Sequence, residues 1–175
     1  MPLTPLHYPV AYALYTLRKK RTLPGLTVGS MFPDLEIPFV LLLFGTDRLL
    51  LHSLLGAITI GTPLSVLFTA SIYPRLLSSL FGVEANLVKE KTQLSFTLVV
   101  SCLVGNLSHV ALDLLNHLYN PLFWPFAPPI LSPLCLALGG LTASFWLVHT
   151  LLIGLFVTLL LTHRDQLWEP LLVGE

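Results

Sequence analysis

The chain has 175 residues, 54% of them apolar, with 9 Lys and Arg balanced by 9 Asp and Glu to a formal net charge of zero. Only 10% of residues are charged and mean hydropathy is +0.81, whereas soluble domains carry about 25% charged residues; the composition is that of an integral membrane protein. A zero net charge gives no basic surface for nucleic acid, and Cys102 and Cys135, without CxxC spacing, read as small core residues, not as a disulfide framework or thiolate metal site.

Residues 3–17 read as a short helix, too short to span a hydrocarbon layer of about 30 Å, with Thr4 and Pro5 as cap and first turn and His7 near its start. The segment is not read as a cleavable signal peptide. Its basic cluster, Arg18-Lys19-Lys20-Arg21, follows the apolar run instead of preceding it, and marks a cytoplasmic membrane face.

Residues 24–45 are apolar but carry Pro33, Asp34, Glu36 and Pro38. They read as two half-length helices with the break at Pro33-Asp34, buried against other helices because irregular backbone at membrane depth needs protein or water around it. His52 then opens a span over 52–73, closed by Pro74 and Arg75. Residues 74–93, with Arg75, Lys89 and Lys91, read as an amphipathic interfacial helix and a loop.

The next span, 94–117, ends in Gly105-Asn106-Leu107-Ser108-His109-Val110-Ala111-Leu112-Asp113-Leu114-Leu115-Asn116-His117. Four-residue spacing puts His109, Asp113 and His117 on one side of a helix, with neighbouring Cβ atoms about 5–6 Å apart, and Asn106 and Asn116 flank that stripe. A carboxylate at the centre of a membrane helix costs about 2.5–3.5 kcal/mol on insertion scales, so it calls for a partner. A shared metal ion is one reading; hydrogen bonding between helices is the other. The Pro-rich aromatic segment 119–129 carries interfacial Tyr119 and Trp124, residues 130–138 read as dipping back into the membrane, and 141–162 is a final span. The expectation is an all-α integral membrane protein of about three full spans plus short half-length or re-entrant helices, forming one membrane-embedded domain over residues 1–175.

His52 begins its span while His109 and Asp113 lie late in one running the other way, so all three fall on one membrane side. Arg18–Arg21, Arg75, Lys89, Lys91 and Arg164 fall at the opposite ends, with Arg48 the exception; the polar cluster is therefore expected toward the extracytoplasmic side. The candidate metal ligands are His7, Asp34, His52, His109, Asp113 and His117. Imidazoles with carboxylates and no thiolates suit Zn²⁺ or another first-row divalent ion, and a carboxylate bridge from Asp113 or Asp34 suits one ion or a pair. Glu36 reads as an interfacial group or a support for a ligand, His149 as a helix-packing residue and His163 as a cytoplasmic-end residue. Ser53 and Ser108 lack a base and an orienter nearby and are not read as nucleophiles.

The ordered set His7, Gly29-Ser30-Met31-Phe32-Pro33-Asp34, His52-Ser53-Leu54, Ser108-His109 with Asp113, then Phe123-Trp124-Pro125-Phe126, resembles the DUF4184 family of small prokaryotic membrane proteins of uncharacterised function, over roughly residues 1–126. It is also similar to the group described as membrane-bound metal-dependent hydrolases (the YdjM-like, DUF457 type). The ligand order is reminiscent of the all-helical zinc-dependent phospholipase C and P1 nuclease fold. The resemblance implies one metal shared by His52, His109, Asp113 and Asp34, with His7 and Asp113 helping to hold a second. The chain departs from these groups in having only Arg48 where a Gly-His-Arg precedes the His52 segment, and in lacking a downstream His-x-x-x-Glu, which leaves one or two ions instead of three. The function expected is a metal-dependent hydrolase, phosphoesterase-like, acting on a lipid or lipid-linked substrate in the prokaryotic cell membrane, with Asp34 and Asp113 as catalytic candidates. The alternative is a non-enzymatic membrane protein whose cluster packs helices or carries an ion or structural metal.

Overall fold

The computed structural model describes residues 4–174, and four helical stretches among them are long and apolar enough to cross a membrane: Leu23–Phe44, Leu54–Ser71, Phe96–Asn116 and Leu141–Thr162. They fit a membrane protein. In chain order, a 3₁₀ turn Thr4–His7 leads into α1 (Tyr8–Leu17). The first long stretch is α2 (Leu23–Met31), a 3₁₀ turn Phe32–Glu36, and α3 (Ile37–Phe44). The second is α4 (Leu54–Gly56), a π turn Ala57–Gly61, and α5 (Thr62–Ser71). Then come α6 (Tyr73–Phe81), α7 (Ala85–Thr92), α8 (Phe96–Asn116), a two-stranded antiparallel pair β1 (Tyr119–Asn120) and β2 (Ile130–Leu131), α9 (Pro133–Ala137), α10 (Leu141–Thr162) and α11 (Trp168–Leu172).

Where sequence reading expects two half-helices in 24–45, the path stays helical throughout, which makes four long stretches instead of about three. Pro33 and Pro38 each fall in the first turn of a new helical segment, where a missing N–H costs nothing. The chain therefore tightens to 3₁₀ at Phe32–Glu36 instead of breaking. Residues 74–93, expected as one interfacial helix and a loop, fall in two helices, α6 and α7, and α11 is a further short helix that hydropathy did not announce. The 130–138 segment folds onto the end of α8: Ser132 Oγ accepts from Cys135 N at 3.4 Å, capping α9, and donates to the Leu114 carbonyl. Ser53 and Ser95 cap α4 and α8 in the same way, accepting from Gly56 N and Leu98 N.

The α2–α8 contact sets the site. Gly25 and Gly29, one turn apart on α2, meet Ser101, Cys102 and Gly105 on α8. A Cβ on Gly29 would lie 2.4 Å from the Cys102 carbonyl oxygen, and one on Gly105 would lie 2.6 Å from the Leu26 oxygen. Only hydrogen fits in those gaps, and the two backbones touch, as small-xxx-small seams allow in membranes. Asn106 ties α5 to this pair, donating to Ser65 Oγ at 3.0 Å and to the Cys102 carbonyl at 2.9 Å. Away from the seam, Val28, Tyr73, Leu77, Val88 and Val173 form an apolar core in which α6, α7 and the C-terminal segment cover α2.

Candidate metal centre

One turn beyond the glycine seam, both helices carry ionisable side chains into the interior. On the first long stretch this is Asp34, in the 3₁₀ turn; on α8 it is His109, then Asp113. His109 is fully buried, and its Nδ1 lies 2.7 Å from the Ser30 carbonyl, to which it donates. That bond fixes the ring and turns Nε2 toward Asp34 and Asp113. His7, at the end of the first 3₁₀ turn, stacks on His109 with ring centroids 4.0 Å apart and planes inclined by 13°.

His52 arrives from the connection that returns from α3. Gly45 takes the left-handed conformation at the end of α3, with φ of 67°, and Glu36 then collects the returning chain. One carboxylate oxygen accepts from Leu49 N at 2.9 Å and the other from Leu51 N at 2.7 Å, while His52 Nδ1 sits 2.7 Å from Oε1. This is the carboxylate–imidazole pairing that fixes tautomer and ring direction in metal-ligating histidines. His52 Nε2 consequently faces the same space as His109 Nε2.

The separations in that space are specific. His52 Nε2 lies 3.6 Å from Asp34 Oδ1 and 3.7 Å from Asp113 Oδ2; His109 Nε2 lies 3.5 Å and 3.8 Å from the same two atoms. These are too long for hydrogen bonds. They match the ~3.4 Å edge of a tetrahedron whose ligand atoms stand about 2.0–2.1 Å from a central Zn²⁺. The Nε2 atoms of His7, His52, His109 and His117 and both oxygens of Asp34 and Asp113 are buried without a hydrogen-bond partner. Buried polar groups are normally satisfied, and here six side chains leave their free atoms pointing at one another. Two overlapping groups, His7–Asp34–His109 and His52–His109–Asp113, have ligand atoms close enough to hold a metal ion.

Burial drives the imidazoles of His7 and His117 down to about 2, helped by His109 beside the first and by Arg48 beside the second. Both are neutral at physiological pH, the form that ligates metal. His52 goes the other way. Burial opposes its charge, but the carboxylates of Asp34 and Glu36 beside it, the latter hydrogen-bonded to Nδ1, with Asp113 nearby, raise it to about 9.

All six residues expected from the sequence as ligands lie in this one cluster. His7 meets Asp34 and His109, where Asp113 is the expected partner carboxylate. His117 sits at the edge, its Nε2 3.5 Å from Asp113 Oδ1. Asn106 belongs to the helix seam, and His149 bonds the Phe145 carbonyl of its own helix at 2.8 Å. His163 meets the Tyr12 hydroxyl at 3.0 Å, far along the sequence from the cluster. Glu36, expected as an interfacial group or a support for a ligand, is the holder of His52. Two contributors escape sequence reading: the Ser30 carbonyl, which has no side-chain signature, and Arg48, whose guanidinium reaches Asp113. The available signal for Arg48 is a basic residue apart from the basic ends of the other spans.

Fold and site together define a helical, membrane-type protein with a buried His/Asp cluster able to hold a metal ion. Residues 1–161 match the model of the family DUF4184, a domain of unknown function, and the chain belongs to that family. A search of curated proteins and a search of solved structures returned no match.

Proposed function

We propose that this protein is a membrane-embedded, zinc-dependent hydrolase of phosphoesters, with a lipid or lipid-linked substrate and the site on the extracytoplasmic side. The observation that carries the metal reading is the set of four 3.5–3.8 Å separations among His52, His109, Asp34 and Asp113. A cluster built only to pack helices would close its hydrogen bonds, as the Asn106 amide nitrogen does with Ser65 and Cys102; this one leaves four imidazole nitrogens and four carboxylate oxygens open. A ligand order reminiscent of zinc-dependent phospholipase C, and a sequence resemblance to the DUF457 hydrolase group, are the further grounds for this proposal.

Two imidazoles and a carboxylate, His52, His109 and Asp113, form a three-ligand set of the kind catalytic zinc sites use. A divalent ion supplies Lewis acidity toward a phosphoryl oxygen and lowers the pKa of water. His109 offers its single free nitrogen to both candidate groups, so one ion per chain is the expected occupancy. Asp34 would complete the set as fourth ligand or, through its unpartnered Oδ2, would act as the base that accepts a proton from water. Glu36 and the Ser30 carbonyl keep the two imidazoles aimed. An apolar cleft of about 620 Å³, lined by Phe32, Leu35, Glu36, Phe39, Leu51 and Trp124 among others, flanks the Glu36 side of the cluster and suits the hydrocarbon part of a lipid.

The test is turnover on a panel of soluble and lipid phosphoesters. Native protein hydrolyses at least one, a chelator abolishes the activity, and Asp34→Asn lowers the rate by about 10²–10⁴-fold. Metal-replete native protein that turns over none of them overturns the hydrolase reading.

A further inference from the structure

Arg48 is the basic residue that the topology does not explain. It lies at the cluster end of the molecule, away from the other lysines and arginines, and its side chain is only 11% exposed. Its Nη1 donates to Asn120 Oδ1 at 3.1 Å, and Asn120 is itself anchored by donating to the His117 carbonyl at 3.1 Å. The same Nη1 lies 3.9 Å from Asp113 Oδ2, a candidate ligand. The guanidinium is thus held at the rim of the cluster by the turn that follows α8. Its Nε is ion-paired with the half-exposed Asp47 carboxylate at 3.4 Å, so the Nη edge is the part of the guanidinium turned to the cluster.

Asp34, Asp113 and Glu36 together offset a divalent ion and the Arg48 charge, so what sets Arg48 apart is its position and not net charge. Glu36 is engaged by His52 and by two backbone amides, and once a metal takes Asp113, no carboxylate of the cluster is left to bond the Nη edge of Arg48. A guanidinium presents a planar fork of donors that matches phosphate oxygens in pairs.

We propose that Arg48 is the anion-recognition residue of this site: it binds a phosphoryl group against the metal, and so selects phosphoesters from other hydrolysable substrates. The inference rests on the metal-dependent reading above and adds its substrate-recognising group. The phosphoryl group has two possible sources, a free phosphate compound or a lipid headgroup, and both are put to the test.

The experiment measures binding of inorganic phosphate and, separately, of dihexanoyl phosphatidic acid to zinc-replete protein in detergent, for native, Arg48→Gln and Arg48→Lys, with zinc content assayed in each. Native protein binds at least one of the two. Arg48→Gln keeps its zinc and weakens that binding roughly ten- to hundred-fold, the range for a lost charged hydrogen-bond partner. Arg48→Lys, which keeps the charge without the fork, falls between. Binding of the lipid alone assigns the headgroup as source; binding of both assigns the phosphoryl group itself. Equal affinity in native and Arg48→Gln overturns the proposal, as does a native, zinc-replete protein that binds neither probe. Loss of zinc in Arg48→Gln also overturns it, because Arg48 would then be building the metal site. Absence of zinc from the native protein removes the reading beneath, and is told apart by the metal assay.

Discussion

At the scale of single residues, the site depends on which nitrogen of each histidine is already taken. His109 Nδ1 is held by the Ser30 carbonyl and His52 Nδ1 by Glu36, so both present Nε2 to the same space. His52, raised to about 9 by Asp34 and Glu36 against the pull of burial, holds a proton at neutral pH that a metal must displace. Affinity for zinc therefore falls about tenfold per pH unit below about 9 and levels off above it, because metal and proton compete for one nitrogen. Zinc titrations in metal buffer from about pH 6.5 to 8.5 measure the slope. Glu36→Gln shifts the inflection to lower pH by removing one of the groups that hold the proton; an affinity flat across this window contradicts the assignment of His52. The six ligand candidates were legible in the sequence because ionisable groups are rare in apolar spans and each therefore stands out. The supports were less legible: Ser30 contributes a backbone oxygen, and no property of its side chain announces it.

At the scale of elements, the seam between α2 and α8 puts Asp34 within reach of His109. Gly29→Ala sets a Cβ 2.4 Å from the Cys102 carbonyl oxygen, forcing the helices apart. Overpacking of this kind costs about 1–3 kcal/mol, and the displacement spreads the Asp34–His109 pair and weakens metal binding with it. Gly154→Ala is the matched control. Nothing lies within 4 Å of that position on α10, and replacing a helical glycine where there is space stabilises by about 0.4–1 kcal/mol. Thermal unfolding in detergent, with and without zinc, compares the two; equal effects contradict the close-approach account. Span boundaries were readable, since 94–117 and 141–162 end within two residues of α8 and α10. The course of residues 24–45 was not. Pro33 and Asp34 argue for a break, and sequence does not reveal that each proline falls in a first helical turn, where the path can continue as a 3₁₀ turn. The Gly25–Gly29 spacing was present but passed over, since glycines in apolar spans are common and only the facing backbone shows which of them are needed.

At the scale of the whole molecule, four long apolar helices fit a membrane protein. α10 turns most of its surface outward, with Trp146, Leu147, Leu151 and Leu161 more than half exposed, as a lipid-facing helix does. The opposed running of the spans, read from the sequence, is what lets His52 and the His109–Asp113 pair meet although they are more than fifty residues apart. The central claim is that this meeting point holds a metal ion, and zinc content per chain tests it most directly. Native protein purified without chelator and equilibrated with zinc retains about one ion per chain after dialysis, while His109→Ala and Asp113→Ala, folded by circular dichroism, retain less than about a tenth of that, because each loses one ligand of a three-ligand set. Folded native protein that retains no metal, or variants that retain as much as the native chain, would contradict the claim.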